Sequence, residues 1–499
     1  MESKDRRALG LLLLLALAVR AWLACTTPLV ATDGALFLWN AERWETRGWR
    51  AAVDFQKQPL YPFLIWTLHG VCGGYEGAAR LISVVFGALT VLPVFLLGRR
   101  LAGREAGLVA GLLFAILPYH ARLSSDVMSE GTYFHFLFWA LWLGYVAGAD
   151  GRAWAALLAG LAAGIAYLTR EEGGLVAGIA GVWILAASAR TWRQSLGGAL
   201  LRGALLTAAF TAVLLPYVIG LHAETGRWML WKKGQSYAME SYTVPGSDAF
   251  ALPAESDSKF AQWTRKYGRA AACAIDLSRK VPTLFKLYLL PLVLAPFVRR
   301  RVVTDARMNG YLAGSCMAWM LLFAGVQWKL GYLSSRHLTT LLIATIPWMG
   351  MAAAGVRSWF GEGPRGWYLT LALLFVGGTL FFATLKPQRE EQMGLRLAGE
   401  WIAWQGISRD GVIVAADEKV ALYAHAQLRY WPKCPYAVLR ERVLPQARYF
   451  AATAHDARAQ TEDFPLEGVP GELVRRWTSP AFGDKKDDAG RVIVWEVVR

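Results

Sequence analysis

The sequence predicts an all-α polytopic membrane protein with about eleven transmembrane helices, followed by a small soluble α/β domain at the C-terminus. Three observations predict it. Hydrophobic residues fill 55% of the 499 positions, charged residues only 18%, and mean hydropathy is +0.31. A soluble chain of this length carries more charge to cover its surface. Apolar runs suited to a bilayer recur from residue 8 to residue 385. From Lys386 onward they stop, and 17 Lys/Arg stand against 16 Asp/Glu. The net charge of +16 therefore sits almost wholly in the hydrophobic part. Lipid phosphates and insertion rules account for it there. A basic stripe with interleaved aromatics, which nucleic acid would need, is missing.

Met1–Arg7 is charged and Ala8–Cys25 is apolar. Trp22-Leu-Ala-Cys25 is a poor processing site, so this run reads as an uncleaved signal-anchor helix. Further spans fall at about 80–97, 106–118, 132–148, 153–168, 174–189, 203–221, 283–298, 308–327, 338–356 and 367–385. Some are shorter than the ~20 residues a bilayer asks for, and such helices thin the bilayer or are buried by neighbours. With the N-terminus inside, the segments on that side hold 16 Lys/Arg and 6 Asp/Glu, whereas the short loops opposite are near balance. This is the positive-inside pattern. It puts the loops 26–79, 119–131, 222–282 and 328–337 outside, together with all that follows residue 385.

The chain thus divides into a membrane part, 1–385, and a domain, 386–499. In the domain Gly411-Val-Ile-Val-Ala-Ala reads as a buried strand and Glu418–Gln427 as a short helix. Arg448–Thr453 and Arg491–Val498 read as two more strands, and Gly483–Gly490 as a hairpin turn. The cysteines Cys25, Cys72, Cys273, Cys316 and Cys434 have no metal-ligand spacing. A disulfide among Cys72, Cys273 and Cys434 and a role as small buried hydrophobes both stay open.

Ionisable groups beside a membrane are costly and tend to be functional. Four groups of them share the outer side: Asp33 with Lys57; Arg122-Leu-Ser-Ser-Asp126-Val-Met-Ser-Glu130; Arg170-Glu171-Glu172; and Lys329–His337, which contains Arg336. Each has a plainer reading. Asp33 would serve only as the N-cap of a helix starting near Gly34. Asp126 and Glu130, four apart, would share one solvated helix face. Lys57, Arg170 and Arg336 would snorkel to headgroups. Glu171 and Glu172 would only pair with Arg170, and His135 and His337 would be hydrogen-bonded helix residues. Neither H-E-x-x-H, nor a phosphate-binding glycine loop, nor CxxC occurs. Acids and bases gathered on one side suit transfer from a phosphate-activated donor. Cations neutralise the phosphate, a carboxylate takes the acceptor's proton, and the phosphate leaves without a general acid.

Asp33 after the first helix, Lys57-Gln-Pro-Leu-Tyr-Pro, Arg122 to Asp126, Tyr167-Leu-Thr-Arg-Glu-Glu-Gly and Tyr332-Leu-Ser-Ser-Arg-His-Leu stand in a telling order. Together they resemble the GT-C fold membrane glycosyltransferases of the protein O-mannosyltransferase and aminoarabinose transferase superfamily. The resemblance spans the membrane part and is strongest over 26–175. It implies a polyprenyl-phosphate sugar donor, inverting transfer on the outer face, and no fixed metal or other cofactor. Asp33 matches the first-loop catalytic carboxylate, Lys57 the lysine that meets the lipid phosphate, Asp126 the second-loop acid, and Arg336 the late arginine near the phosphate. Eukaryotic protein mannosyltransferases carry an Asp-Glu pair in the first loop, whereas here Gly34 follows Asp33. That departure points to the bacterial branch, hence to an inner (plasma) membrane with the N-terminus cytoplasmic and the C-terminal domain periplasmic.

The expectation is a membrane glycosyltransferase acting on a lipid, glycan or protein acceptor. Asp33 is its base, Lys57 and Arg336 hold phosphate, and Asp126, Glu130, Arg122, Arg170, Glu171 and His337 orient substrates. Two rivals are a lipid or sugar transporter, which would need ionisable residues near the midplane and repeat symmetry, and a non-catalytic sensor or scaffold.

Overall fold

A computed structural model describes residues 3–54, 57–188, 192–230, 259–284, 293, 305–331, 333–360, 364–407, 411–415, 417–430, 444–453, 472–481 and 491–498. Among these, one compact unit runs to Ala24, resumes at Asn40 and continues to Lys386. The other unit is Cys25–Trp39 with the chain from Pro387 onward.

The first unit is helical. Its elements are α1 (Ser3–Thr26), the end of α2 (Thr32–Arg47), α3 (Arg50–Asp54), α4 (Leu60–Leu68), α5 (Tyr75–Leu89), α6 (Val91–Ile116) and α7 (Pro118–Leu123). Then come α8 (Glu130–Ala149), α9 (Ala153–Thr169), α10 (Gly174–Ser188), α11 (Trp192–Thr225), α12 (Lys259–Tyr267) and α13 (Arg269–Leu284). The last are α14 (Ala306–Leu330), α15 (Ser335–Phe360) and α16 (Pro364–Thr384). Among the described residues seven stretches are long and apolar enough to cross a bilayer: Asp5–Thr26, Tyr75–Ile116, Glu171–Ser188, Leu196–Thr225, Ala306–Lys329, Ser335–Val356 and Gly366–Thr384. The chain is a multi-pass membrane protein.

Within Tyr75–Ile116 the chain turns back. Ala102 (φ −150°, ψ 27°) and Gly103 (φ 87°, ψ −176°) are non-helical, and only glycine takes the second pair of angles easily. Gly98 then lies against Ala106 and Ala110, so the two halves of α6 run side by side. The expected spans 80–97 and 106–118 are the two arms of this bend. Those at 132–148 and 153–168 coincide with α8 and the 17-residue apolar α9. The expected span 283–298 falls mostly outside the described residues. So do Tyr332, Cys434 and the turn 483–490.

Helix α15 is the axis of the unit: 89% of its apolar stretch is buried, against 11% for α16, whose Tyr368, Leu374 and Phe375 stay exposed. The core around it joins Val94, Phe114, Phe138, Trp319, Ile343 and Met349. At the other ends of α8 and α14 from the site described below, Arg100 bridges Asp150 at 3.1 Å and Asp305 at 2.7 Å. Cys72 and Cys273 are free thiols.

Among the described residues of the second unit, α17 (Met393–Trp404) and α18 (Glu418–Ala424) accompany five strands: β1 (Val412–Ala415), β2 (Gln427–Tyr430), β3 (Tyr449–Thr453), β4 (Leu473–Thr478) and β5 (Val492–Val497). The strand order is β2-β1-β3-β5-β4. Strand β1 is parallel to β2 and β3, and β5 is antiparallel to β3 and β4, with Phe450 opposite Trp495. The α/β expectation holds. Strand β2, edge strand β4 and helix α17 are additions. The charged Arg475-Arg476 in β4 conceals its strand pattern, and β2 has only four residues. The expected helix 418–427 stops at Ala424, because Gln427 begins β2.

Candidate active site

Four helix ends of the first unit meet. Glu130 opens α8, Arg170 follows α9, a 3-10 turn over Glu171–Gly173 leads into α10, and Arg336 lies in the first turn of α15. Glu130 Oε1 accepts from Arg170 Nη1 at 2.8 Å, Arg336 Nη2 at 2.6 Å and Arg336 Nε at 2.9 Å. Arg170 Nη2 also donates to Glu172 at 3.2 Å, and His337 Nε2 lies 3.4 Å from the same carboxylate. A buried carboxylate is tolerable only when paired in this way. Burial works against the charge of Arg170, but Glu172 and Glu130 outweigh it and hold the guanidinium above its ordinary range. The Tyr133 ring beneath it, 5.6 Å from Cζ, completes the enclosure. Side-chain exposure separates the two arginines: 14% for Arg170 and 27% for Arg336. Arg170 is the inner strut and Arg336 the cation that solvent can reach.

Asp126 and Glu130 do not share a helix face, contrary to expectation. The chain leaves α7 at Ser124 and does not become helical again until Glu130. Asp126 Oδ1 takes the Val127 N–H at 2.8 Å, a local bond that competes with helix formation. Every residue from Ser124 to Glu130 is buried, so this irregular backbone needs partners from elsewhere. Ser83 on α5 donates to the Met128 carbonyl at 3.0 Å, and the Tyr61 hydroxyl on α4 meets Ser83 Oγ at 2.8 Å. Burial raises the Tyr61 hydroxyl's pKa, and the charges of Asp126 and Glu130 add to that. Burial does the same for Tyr119, which faces Thr339 and the charge of Arg336.

The other expected residues are placed as follows. Lys57 is half-buried; its neighbour Gln58 is within hydrogen-bonding reach of the Tyr167 hydroxyl, which also feels Glu171. Arg122 Nη2 donates to the Ala383 carbonyl at 2.7 Å, at the C-terminus of α16. Asp33 belongs to the second unit; it lies inside the first turn of α2, which starts at Thr32, not at Gly34. His135 is packed among Phe86, Phe136 and Trp139 rather than held by a hydrogen bond from Nδ1. Sequence reasoning missed Ser83, Tyr119 and Tyr133, which are neutral and give no charge signal. Tyr61 was within sight, in Lys57-Gln-Pro-Leu-Tyr-Pro. Among the described residues no three His, Cys, Asp or Glu side chains gather as a metal site would require.

Residues 56–217, which contain most of this site, match the dolichyl-phosphate-mannose-protein mannosyltransferase family. The fold is that of the GT-C membrane glycosyltransferases, in line with the resemblance read from the sequence. Solved structures similar to the chain include ArnT from Cupriavidus metallidurans bound to undecaprenyl phosphate (TM-score 0.60, 13% identity, 97% of each chain covered). Another is the Archaeoglobus fulgidus oligosaccharyltransferase in complex with zinc and sulfate (TM-score 0.56, 13% identity, 95% of this chain and 72% of that one). A third is the mycobacterial arabinofuranosyltransferase AftD (TM-score 0.57, 15% identity, 99% of this chain and 40% of that one). Comparison with curated protein sequences gives no match.

Proposed function

We propose that the chain is a membrane glycosyltransferase. It moves a sugar from a polyprenyl-phosphate carrier to a lipid, glycan or protein acceptor on the periplasmic face of a bacterial inner membrane. The observation that carries this reading is the ion-pair chain Arg336–Glu130–Arg170–Glu172, built from four separate helix ends in a protein of GT-C fold. A cation held by a buried carboxylate keeps its direction before substrate arrives, which is what stabilising a departing phosphate requires. The likeness to an enzyme solved with undecaprenyl phosphate supports a polyprenyl-phosphate donor.

In the proposed reaction the acceptor hydroxyl gives its proton to the Asp33 carboxylate. Its oxygen bonds the sugar's anomeric carbon from the face opposite the phosphate. The bond from that carbon to the phosphate oxygen breaks, through an oxocarbenium-like state. The carrier phosphate leaves with its charge met by Arg336 and Lys57. Asp126, Glu171 and His337 orient sugar or acceptor. Arg122 holds the end of α16 through the Ala383 carbonyl.

Asp33→Asn tests the base. General-base loss costs about 10²- to 10⁴-fold in rate, so kcat is expected to fall by that order while the purified protein keeps its melting temperature. Unchanged turnover by a folded Asp33→Asn protein removes Asp33 from the mechanism.

A further inference from the structure

Just before Asp33 the chain runs Thr27-Pro28-Leu29-Val30-Ala31, outside any helix. Leu29 and Val30 are fully buried, with relative exposures of 0%. Buried irregular backbone must find donors and acceptors, and here three side chains of the C-terminal part supply them. Arg389 donates Nε and Nη2 to the Leu29 carbonyl at 3.1 and 2.8 Å. Arg396, in the first turn of α17, donates Nη1 to the Pro28 carbonyl at 2.6 Å. The Tyr423 hydroxyl on α18 accepts the Val30 N–H at 3.2 Å. Arg396 is itself aimed: Glu400 takes its Nε at 2.7 Å, and Cζ lies 5.0 Å over the Tyr423 ring. Arg389 holds a left-handed backbone angle, φ 60°, four residues before α17. The Leu29 side chain completes the grip, buried with Leu395, Ala398, Ile402 and Tyr423.

Three consecutive backbone groups, Pro28 to Val30, are thus held by residues 360 to 393 positions away. Three residues after Val30 comes Asp33, in a helix whose first turn is tied back by Gly34 N–H to the Ala31 carbonyl at 2.7 Å. We propose that Arg389, Arg396 and Tyr423 are positioning residues for sugar transfer, and that one task of the C-terminal part is to aim the Asp33 carboxylate. The proposal rests on Asp33 being the base. It predicts a loss in kcat rather than in donor binding, because an interaction that orients a base acts in the transition state.

The test uses the full-length protein in lipid nanodiscs, with Arg389→Met, Arg396→Met and Tyr423→Phe made singly. The expected result is a kcat at least tenfold lower for each arginine variant. Donor KM stays within twofold, and amide exchange over residues 29–35 becomes at least tenfold faster. Arg396→Lys, which restores a donor, recovers part of kcat. If the arginine variants do not fold, Tyr423→Phe loses one hydroxyl only, and its exchange and kcat decide. Unchanged exchange, or unchanged kcat beside faster exchange, overturns the proposal while wild-type turnover leaves the functional reading intact. A wild type that turns over no polyprenyl-phosphate sugar sinks both.

Discussion

Glu130 accepts from two guanidiniums at once, and that makes the two kinds of substitution around it unequal. Glu130→Gln leaves both Arg170 and Arg336 facing a neutral amide in place of a carboxylate. Breaking a buried pair from one side costs about 3–5 kcal/mol, so a clear fall in melting temperature is expected. Arg336→Met removes the more exposed partner and leaves Glu130 on Arg170. Glu130 then loses two of its three bonds, so a smaller fall in melting temperature is expected, while a lost charge-assisted bond to phosphate, about 1.5–3 kcal/mol, raises donor KM roughly ten- to hundredfold. Steady-state kinetics beside a melting curve separates the two; a normal KM for Arg336→Met removes it from the phosphate site. His120 offers a pH test. Burial first, and the nearby charge of Arg20 second, push its pKa down to about 3. A lowered folded value means that protons favour the unfolded chain. Its contribution is complete above the ordinary histidine value of about 6.5 and is lost as pH falls toward 3. The wild type should therefore lose more melting temperature between pH 6.5 and 4 than His120→Gln, and equal losses would refute this.

Between α6 and α7 the elements are joined by an unusual clamp. Arg20 of α1 is wholly buried. It donates Nε to Ser124 at 2.8 Å and Nη2 to the Phe114 carbonyl at 3.4 Å. No carboxylate faces it among the described residues; the negative end of α6 and the Ser124 oxygen take that part. The neighbouring ends are stitched the same way, Thr384 Oγ1 donating to the Ile116 carbonyl at 2.6 Å and Trp22 Nε1 to the Leu385 carbonyl at 3.0 Å. Space for the guanidinium comes from Gly87 of α5: a Cβ there would meet Ser124 Cβ at 2.6 Å and Arg20 Nε at 2.9 Å. Gly87→Ala overpacks this joint, a change that costs about 1–3 kcal/mol. Because Ser124 begins the segment carrying Asp126 and Glu130, it should lower kcat as well as melting temperature. An unaltered melting curve would count against the clamp.

For the whole molecule, charge sidedness predicts an orientation. In a cysteine-free background, Arg152→Cys should react with a membrane-impermeant maleimide only after the membrane is opened. Trp404→Cys, exposed in the second unit, should react from outside in spheroplasts with an intact inner membrane. The reverse pattern would refute the periplasmic assignment.

Hydropathy, charge bias and strand alternation are local properties. They determined the membrane class, most of the spans, the C-terminal α/β character and the candidate charges, since each can be read within a window of about 20 residues. Tertiary structure alone decided that Arg336 pairs with Glu130 across 206 positions. It also decided that Arg122 faces a helix end, that Asp126 leaves the helix, and that Pro28–Val30 is gripped by Arg389, Arg396 and Tyr423. Those partners follow from which helix ends and loops meet after the chain has packed, and no window of sequence contains both sides of such a meeting.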